Sequence, residues 1–116
     1  MIKLSINTDE LKVLNNYFVI IFNALDYKII NSIGIDIIEK AQIKSDKDLI
    51  QYLSAKCFKK LVNSQVNLTK IKSFSLNAWE ANVICKYQNI FKTVNSNFYA
   101  NTVVSEKINE LWKYLM

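Results

Sequence analysis

Hydrophobic and polar residues alternate at two places along the chain, which is the pattern of a β-strand with one buried face. The first alternating stretch is Ile2–Ile6 and the second is Ile71–Leu76. A lone strand would leave its backbone amides and carbonyls unpaired. We therefore expect the two stretches to pair with each other as a minor two-stranded antiparallel ribbon.

A helical pattern follows the first strand over Thr8–Leu25. Its apolar residues recur at a spacing of three and four along one stripe, which is typical of an amphipathic helix. A second apolar face contains Val13, Tyr17 and Ile20. A helix that is apolar on two faces lies at the centre of its fold or is shared with a partner.

The same spacing predicts further helices. One covers Tyr27–Ile43, and a second is capped by Ser45 and carries apolar positions from Leu49 to Val62. A third runs from Asn77 to about Asn95, and the last carries Val104, Ile108, Leu111, Trp112 and Leu115. The chain has one glycine and no proline, which favours helices joined by short turns. The sequence thus predicts a mainly α fold of about five helices and a minor ribbon, in a single domain of residues 1–116.

Two strand–helix units resemble each other. Asn7 and Glu10 have the spacing of a capping box, and Asn77 and Glu80 repeat it. Aligning residues 4–17 with residues 74–87 gives five identities in fourteen positions. Residues 57–61 align less well with residues 111–115. Two interpretations stay open: a duplication with half-repeats 1–66 and 67–116 about a pseudo-two-fold axis, or convergence of two capped strand–helix units.

The composition excludes most reactive sites. The chain has no histidine, and all fifteen of its positive side chains are lysines. It therefore lacks the usual general base near neutral pH, the imidazole metal ligand and the bidentate guanidinium. One glycine cannot build a phosphate-binding loop. Cys57 and Cys85 have no metal-site spacing, so we expect buried free thiols. We predict no catalytic residue, cofactor or metal, and no enzyme activity.

Lysines are concentrated in the middle of the chain. Residues 41–92 contain nine lysines and three acidic residues, a net charge of +6. Such a surface contacts phosphates without reading sequence, and its binding weakens as salt rises. A Lys-rich nucleic-acid-binding or regulatory protein is therefore the alternative function. Its candidate residues are Lys56, Lys59, Lys60, Lys70 and Lys72.

Apolar residues exceed what one small core needs, particularly on the first and last helices. Exposed apolar area of this kind typically marks a protein–protein contact, with a two-fold homodimer as the default. The predicted interface residues are Tyr17, Phe18, Ile20, Phe22, Trp112 and Tyr114. The most apolar window, residues 17–22, is too short to span a bilayer. We expect a soluble, cytoplasmic protein that binds itself or another protein and no membrane or small molecule.

The stretch from Ser75 to Ala81, together with the repeated strand–cap–helix pattern and the abundance of Ile, Asn and Lys, resembles short uncharacterised helical proteins of Bacteroidetes bacteria and their phages. The resemblance implies an accessory, virion or assembly protein encoded by a phage or mobile element. It would be found in the host cytoplasm or in a virion. The sequence therefore favours a non-enzymatic interaction or structural protein that self-associates through apolar helix faces.

Overall fold

The computed structural model describes residues 2–31, 34, 36–63, 72–88, 99–111 and 113. The elements are β1 (Ile2–Ile6), α1 (Thr8–Ile30), α2 (Ile37–Asn63), β2 (Lys72–Leu76), α3 (Ala78–Lys86) and α4 (Tyr99–Glu110). The described chain is thus mainly helical with one two-stranded antiparallel sheet, as the sequence predicted. It has four helices in these ranges, whereas the sequence predicted about five.

The ribbon forms because each strand has one apolar face. Its register places Leu4 opposite Phe74 and Ile2 opposite Leu76. Leu4, Ile6, Phe74 and Leu76 are buried, while Lys3, Ser5 and Ser73 on the other face are exposed. The alternation read from the sequence therefore corresponds to an inner and an outer face of the ribbon.

Both predicted capping boxes are present. The Glu10 amide donates to Asn7 Oδ1 over 2.8 Å, and the Asn7 amide donates to Glu10 Oε1 over 3.3 Å. The Glu80 amide donates to Asn77 Oδ1 over 2.9 Å, and the Asn77 amide donates to Glu80 Oε1 over 2.8 Å. Each box satisfies amides that have no partner within the first turn of the helix. Each strand therefore passes into its helix at a defined residue.

The helix boundaries between the two strands differ from the prediction. Residues 27–30 complete α1, and α2 begins at Ile37 and continues through Ser45. The separate helix predicted over Tyr27–Ile43, and the helix start predicted at Ser45, are therefore wrong. Ser45 is exposed, and a serine inside a helix costs less than about 0.7 kcal/mol, which packing on both sides easily outweighs.

The core gathers around α1, which packs against α2 and also against α4. Its innermost side chains, Leu14, Phe18 and Ile21, have no exposed area. The Tyr17 hydroxyl donates to the Ile84 carbonyl, which ties α1 to α3. The Cys57 thiol donates to the Leu11 carbonyl over 3.4 Å. These contacts join α1 to α2, α3 and α4, and the Phe18 ring packs against Phe74 on the apolar face of the ribbon.

Candidate protein interface

A groove of about 420 Å³ lies between α1 and α2. Spacings of four and three residues bring its lining side chains to one side of each helix. Val19, Phe22, Ala55 and Phe58 give it an apolar surface. The remaining lining residues are the neutral polar Asn15, Gln51 and Ser54. With no charged side chain in its lining, the groove is suited to receiving apolar side chains.

Other exposed apolar residues lie on the same two helices as the groove. Of the nine large hydrophobic residues that are exposed in the described ranges, eight lie on α1 and α2. Phe58 is 60% exposed and Val19 is 41% exposed at the groove itself. The other six on these helices are Tyr27, Ile30, Ile37, Ile38, Tyr52 and Val62, and the ninth is Trp79. The surplus of apolar area is thus concentrated on one pair of helices.

Three contacts fix how α1 and α2 lie against each other. Cys57 meets the Leu11 carbonyl, and the Ser54 hydroxyl donates to Asn15 Oδ1 over 3.4 Å. Further along, Lys47 Nζ lies 2.7 Å from Asp26 Oδ1. The two helices therefore run antiparallel, and Asn15 and Ser54 of the second contact are part of the groove lining.

Lys47 also shapes the groove wall. Its ammonium group lies 5.1 Å from the centroid of the Phe22 ring. A cation over an aromatic face contributes on the order of 0.5–1 kcal/mol at an exposed site. Phe22 is half-buried, so this contact orients a side chain that the core alone does not hold. The groove lining is preorganised at this end.

Two lysines lie at the ribbon. Lys56 donates to the Ser75 carbonyl and lies 4.9 Å from the centroid of the Phe74 ring. Lys107 donates to the Ser5 carbonyl, and its Nζ lies 2.7 Å from Glu10 Oε1. Both strands of a two-stranded sheet are edge strands with unpaired carbonyls. These lysines bind such carbonyls, so each has a structural role.

The two lysine contacts are equivalent in the internal repeat, which aligns Ser5 with Ser75. Aligning the two halves by these contacts places Lys56 over Lys107. It therefore aligns residues 53–57 (Leu-Ser-Ala-Lys-Cys) with residues 104–108 (Val-Ser-Glu-Lys-Ile). This alignment of the helices differs from that of residues 57–61 with residues 111–115. The ribbon register also places Leu4 opposite Phe74, the residues that the repeat aligns. A two-fold axis through this strand pair would require that register.

The structure brings together only some of the predicted interface residues. Tyr17 and Phe18 have no exposed area, so they belong to the core and their assignment to an interface is corrected. The reason is that the Tyr17 hydroxyl reaches the Ile84 carbonyl of α3, while the Phe18 ring packs against Phe74 of the ribbon. Ile20 and Phe22 are half-buried, and Phe22 lines the groove. Trp112 and Tyr114 lie outside the described residues.

The lysines proposed for nucleic-acid binding do not form one exposed group among the described residues. Lys56 is engaged at the ribbon, Lys59 is exposed and Lys60 is half-buried. Lys70 and the side chain of Lys72 lie outside the described residues. The described part of the predicted basic face is therefore confined to the last turns of α2.

The sequence placed the candidate interface on the first and last helices, so it missed the contribution of α2 to the groove. Phe58 is 60% exposed and Val62 is 48% exposed. A signal was present in the sequence. Apolar residues occupy more of the circumference of α2 than the four buried positions Ile43, Ile50, Leu53 and Cys57 require.

The cysteine thiols are buried, and Asp46 is hydrogen-bonded to a tyrosine. Burial raises the pKa of the Cys57 thiol to about 12 and also raises the pKa of Cys85, so both thiols stay protonated near neutral pH. The Tyr87 hydroxyl donates to Asp46 Oδ2 over 2.5 Å. Burial, and then this hydrogen bond to Asp46, raise the pKa of Tyr87. Among the described residues, no three His, Cys, Asp or Glu side chains are grouped where a metal ion could bind.

Comparisons with protein families, with curated proteins and with solved structures find no match to this chain. In the described ranges, every helix is too short or too polar to cross a membrane. The groove and its surrounding side chains are therefore the features from which a function is inferred.

Proposed function

We propose that the protein is a non-enzymatic interaction protein that self-associates through α1 and α2. The contact surface is the hairpin face, defined as the groove residues Val19, Phe22, Ala55 and Phe58 with the adjacent Tyr52 and Val62. The single observation that carries the proposal is the apolar groove with Phe58 projecting from it. Contiguous exposed apolar area of this kind is characteristic of contact surfaces.

The energetics require several of these side chains to act together. Burying one large apolar side chain stabilises by about 1.5–3 kcal/mol, whereas association costs about 4–15 kcal/mol in lost motion. Phe58 alone would not hold two molecules together. The groove, Tyr52 and Val62 supply the additional area, and an isologous contact uses each residue twice.

The test is the mass in solution, measured by sedimentation equilibrium across a concentration series. We expect the wild-type protein to dimerise and Phe58→Ser to be monomeric. Trp79→Ser is the matched control, because Trp79 is a large apolar residue that is 76% exposed and lies on α3. The control should dimerise as the wild type does. A wild-type protein that stays monomeric at all concentrations contradicts the proposal.

A Lys-rich nucleic-acid-binding protein remains the alternative function. It is favoured by the exposure of Lys59 and by the net charge of +5. It has less support, because the Lys56 ammonium group already binds the ribbon. It predicts binding to a DNA duplex of arbitrary sequence that falls steeply between about 50 and 200 mM salt. Absence of binding at low salt would remove it.

The internal repeat supports a further proposal, a duplicated strand–helix–helix unit with half-repeats 1–66 and 67–116. The matched capping boxes, the ribbon register and the equivalent contacts of Lys56 and Lys107 support it. The sequence resemblance to Bacteroidetes and phage proteins supports a role as a virion or assembly component in the host cytoplasm or the virion. A pull-down from infected or host cells with Phe58→Ser as the negative control would test that role.

A further inference from the structure

The two ends of the groove differ in charge, because exposed lysines lie at one end and two carboxylates with nearby lysines lie at the other. Lys12 and Lys59 are exposed at one end, where the Cys57–Leu11 contact brings the two helices to the same level. Asp26 and Asp48 lie at the other end, where Lys47 joins α2 to Asp26. The apolar groove lies between the two ends. The charged side chains are therefore distributed unevenly along the hairpin face, with exposed lysines at one end and carboxylates at the other.

The spacing along each helix places these charges on one stripe. On α1, Val19 is seven residues from Lys12 and seven from Asp26, which is close to two turns in each direction. On α2, Asp48 and Lys59 are eleven residues apart, close to three turns, and Ser54 of the groove lies near their midpoint. The midpoint of the charge pattern thus coincides with the groove on both helices.

We propose that the occupant of the hairpin face is a second copy of this chain, laid antiparallel across it. A two-fold axis would lie in the contact plane, perpendicular to the helices and at the level of the groove. The rotation brings the lysine end of each copy against the carboxylate end of the other, with the two grooves and the Phe58 side chains between them. This arrangement rests on the proposed self-association and adds its orientation and charge pairing.

Neighbouring charges determine how strong the effect can be. Lys47 already pairs with Asp26, and Lys44 lies one turn from Asp48 on the same helix. Exposed ion pairs contribute about 0–1 kcal/mol each. The charge pattern therefore selects the antiparallel orientation and speeds association, while the apolar groove supplies most of the affinity.

The experiment uses two charge-reversed full-length variants. The first carries Lys12→Glu and Lys59→Glu, so both ends of its hairpin face are acidic. The second carries Asp26→Lys and Asp48→Lys, so both ends are basic. Each variant alone should dimerise at least about 10-fold more weakly than the wild type, because four attractive pairings per dimer become repulsive. An equimolar mixture should form a heterodimer at least about 10-fold tighter than the homodimer of either variant, because the pairings between the two variants are attractive.

The control carries Lys3→Glu and Lys28→Glu, which are exposed positions on the ribbon and on α1 away from this stripe. It has the same net charge as the first variant and should dimerise as the wild type does. Circular dichroism confirms that every variant is folded. Sedimentation at low and high salt gives the dissociation constants.

The outcomes separate this inference from the proposed function. A monomeric wild type overturns both. A wild type that dimerises and loses its dimer with Phe58→Ser, but whose charge-reversed variants dimerise as the control does, overturns only the antiparallel pairing. Variants that lose the dimer singly without recovering it as a mixture overturn the pairing as well. Capture of an acidic helical peptide by a monomeric wild type would assign the groove to a different partner.

Discussion

The two longest helices have similar lengths and opposite roles. In α1, eight of 23 residues are buried, whereas in α2 only four of 27 are buried. The difference arises because α1 packs against both α2 and α4, while α2 packs mainly on α1 and α3 and leaves more of its circumference exposed. Apolar residues on α1 therefore build the core. Those on the outer part of α2, such as Tyr52 and Phe58, remain at the surface.

The largest expected effect is a contrast between two phenylalanines. Phe18→Ala should lower the free energy of unfolding by about 3–5 kcal/mol, because the Phe18 side chain has no exposed area and its removal leaves a cavity in the core. Phe58→Ala should change it by less than about 0.5 kcal/mol at a concentration where the protein is monomeric. Urea unfolding measures both values. Similar losses for the two variants would contradict the assignment of α1 to the core and of α2 to the surface.

The stability of the protein at alkaline pH tests the buried contact between Cys57 of α2 and the Leu11 carbonyl of α1. The Cys57 thiol has a pKa raised by burial from 9.0 to about 12. The folded state holds the thiol proton more tightly than the unfolded state does. The contribution of Cys57 to the free energy of unfolding is therefore complete below pH 9 and is lost as pH rises towards 12. The stability difference between the wild type and Cys57→Ala should therefore narrow by about 2 kcal/mol between pH 8 and pH 10.5.

Urea unfolding of both proteins across this pH range measures the effect. Every other titratable group is the same in both proteins, so comparing the two proteins isolates most of the contribution of Cys57. A difference that stays constant with pH would show that the thiol is not buried in the folded protein.

A smaller contrast concerns the helix starts. Asn7→Ala should cost about 1 kcal/mol, because the side chain satisfies the Glu10 amide within a complete capping box. Asp36→Ala, before α2, should cost less, since Asp36 is exposed and its Oδ1 accepts from the Ile38 amide over 3.3 Å. Thermal unfolding of the two variants gives the comparison, and Asn77→Ala should match Asn7→Ala. A larger loss for Asp36→Ala would reverse the contrast.

Local features of the fold were predictable, and so was part of the candidate site. The capping boxes depend on residues three apart, and the ribbon depends on period-two alternation. The sequence also placed Phe22 in the candidate interface, and Phe22 lines the groove. The exposure of Phe58 and the burial of Tyr17 were not predictable, because both side chains lie on helices with more than one apolar face. Which of these faces a neighbouring helix covers depends on contacts between distant parts of the chain.

The sequence by itself determined where strands pass into helices and that the usual catalytic and metal-binding side chains are missing, because composition and short-range hydrogen bonding are properties of the local chain. Only the tertiary structure decided that residues 37–63 form one helix, that Lys56 and Lys107 bind carbonyls of the ribbon, and that eight of the nine exposed large apolar residues in the described ranges lie on α1 and α2. Burial depends on which residues are neighbours in space. An apolar stripe has the same sequence whether it packs against a helix of its own chain or against a second molecule, so the sequence alone does not distinguish the two.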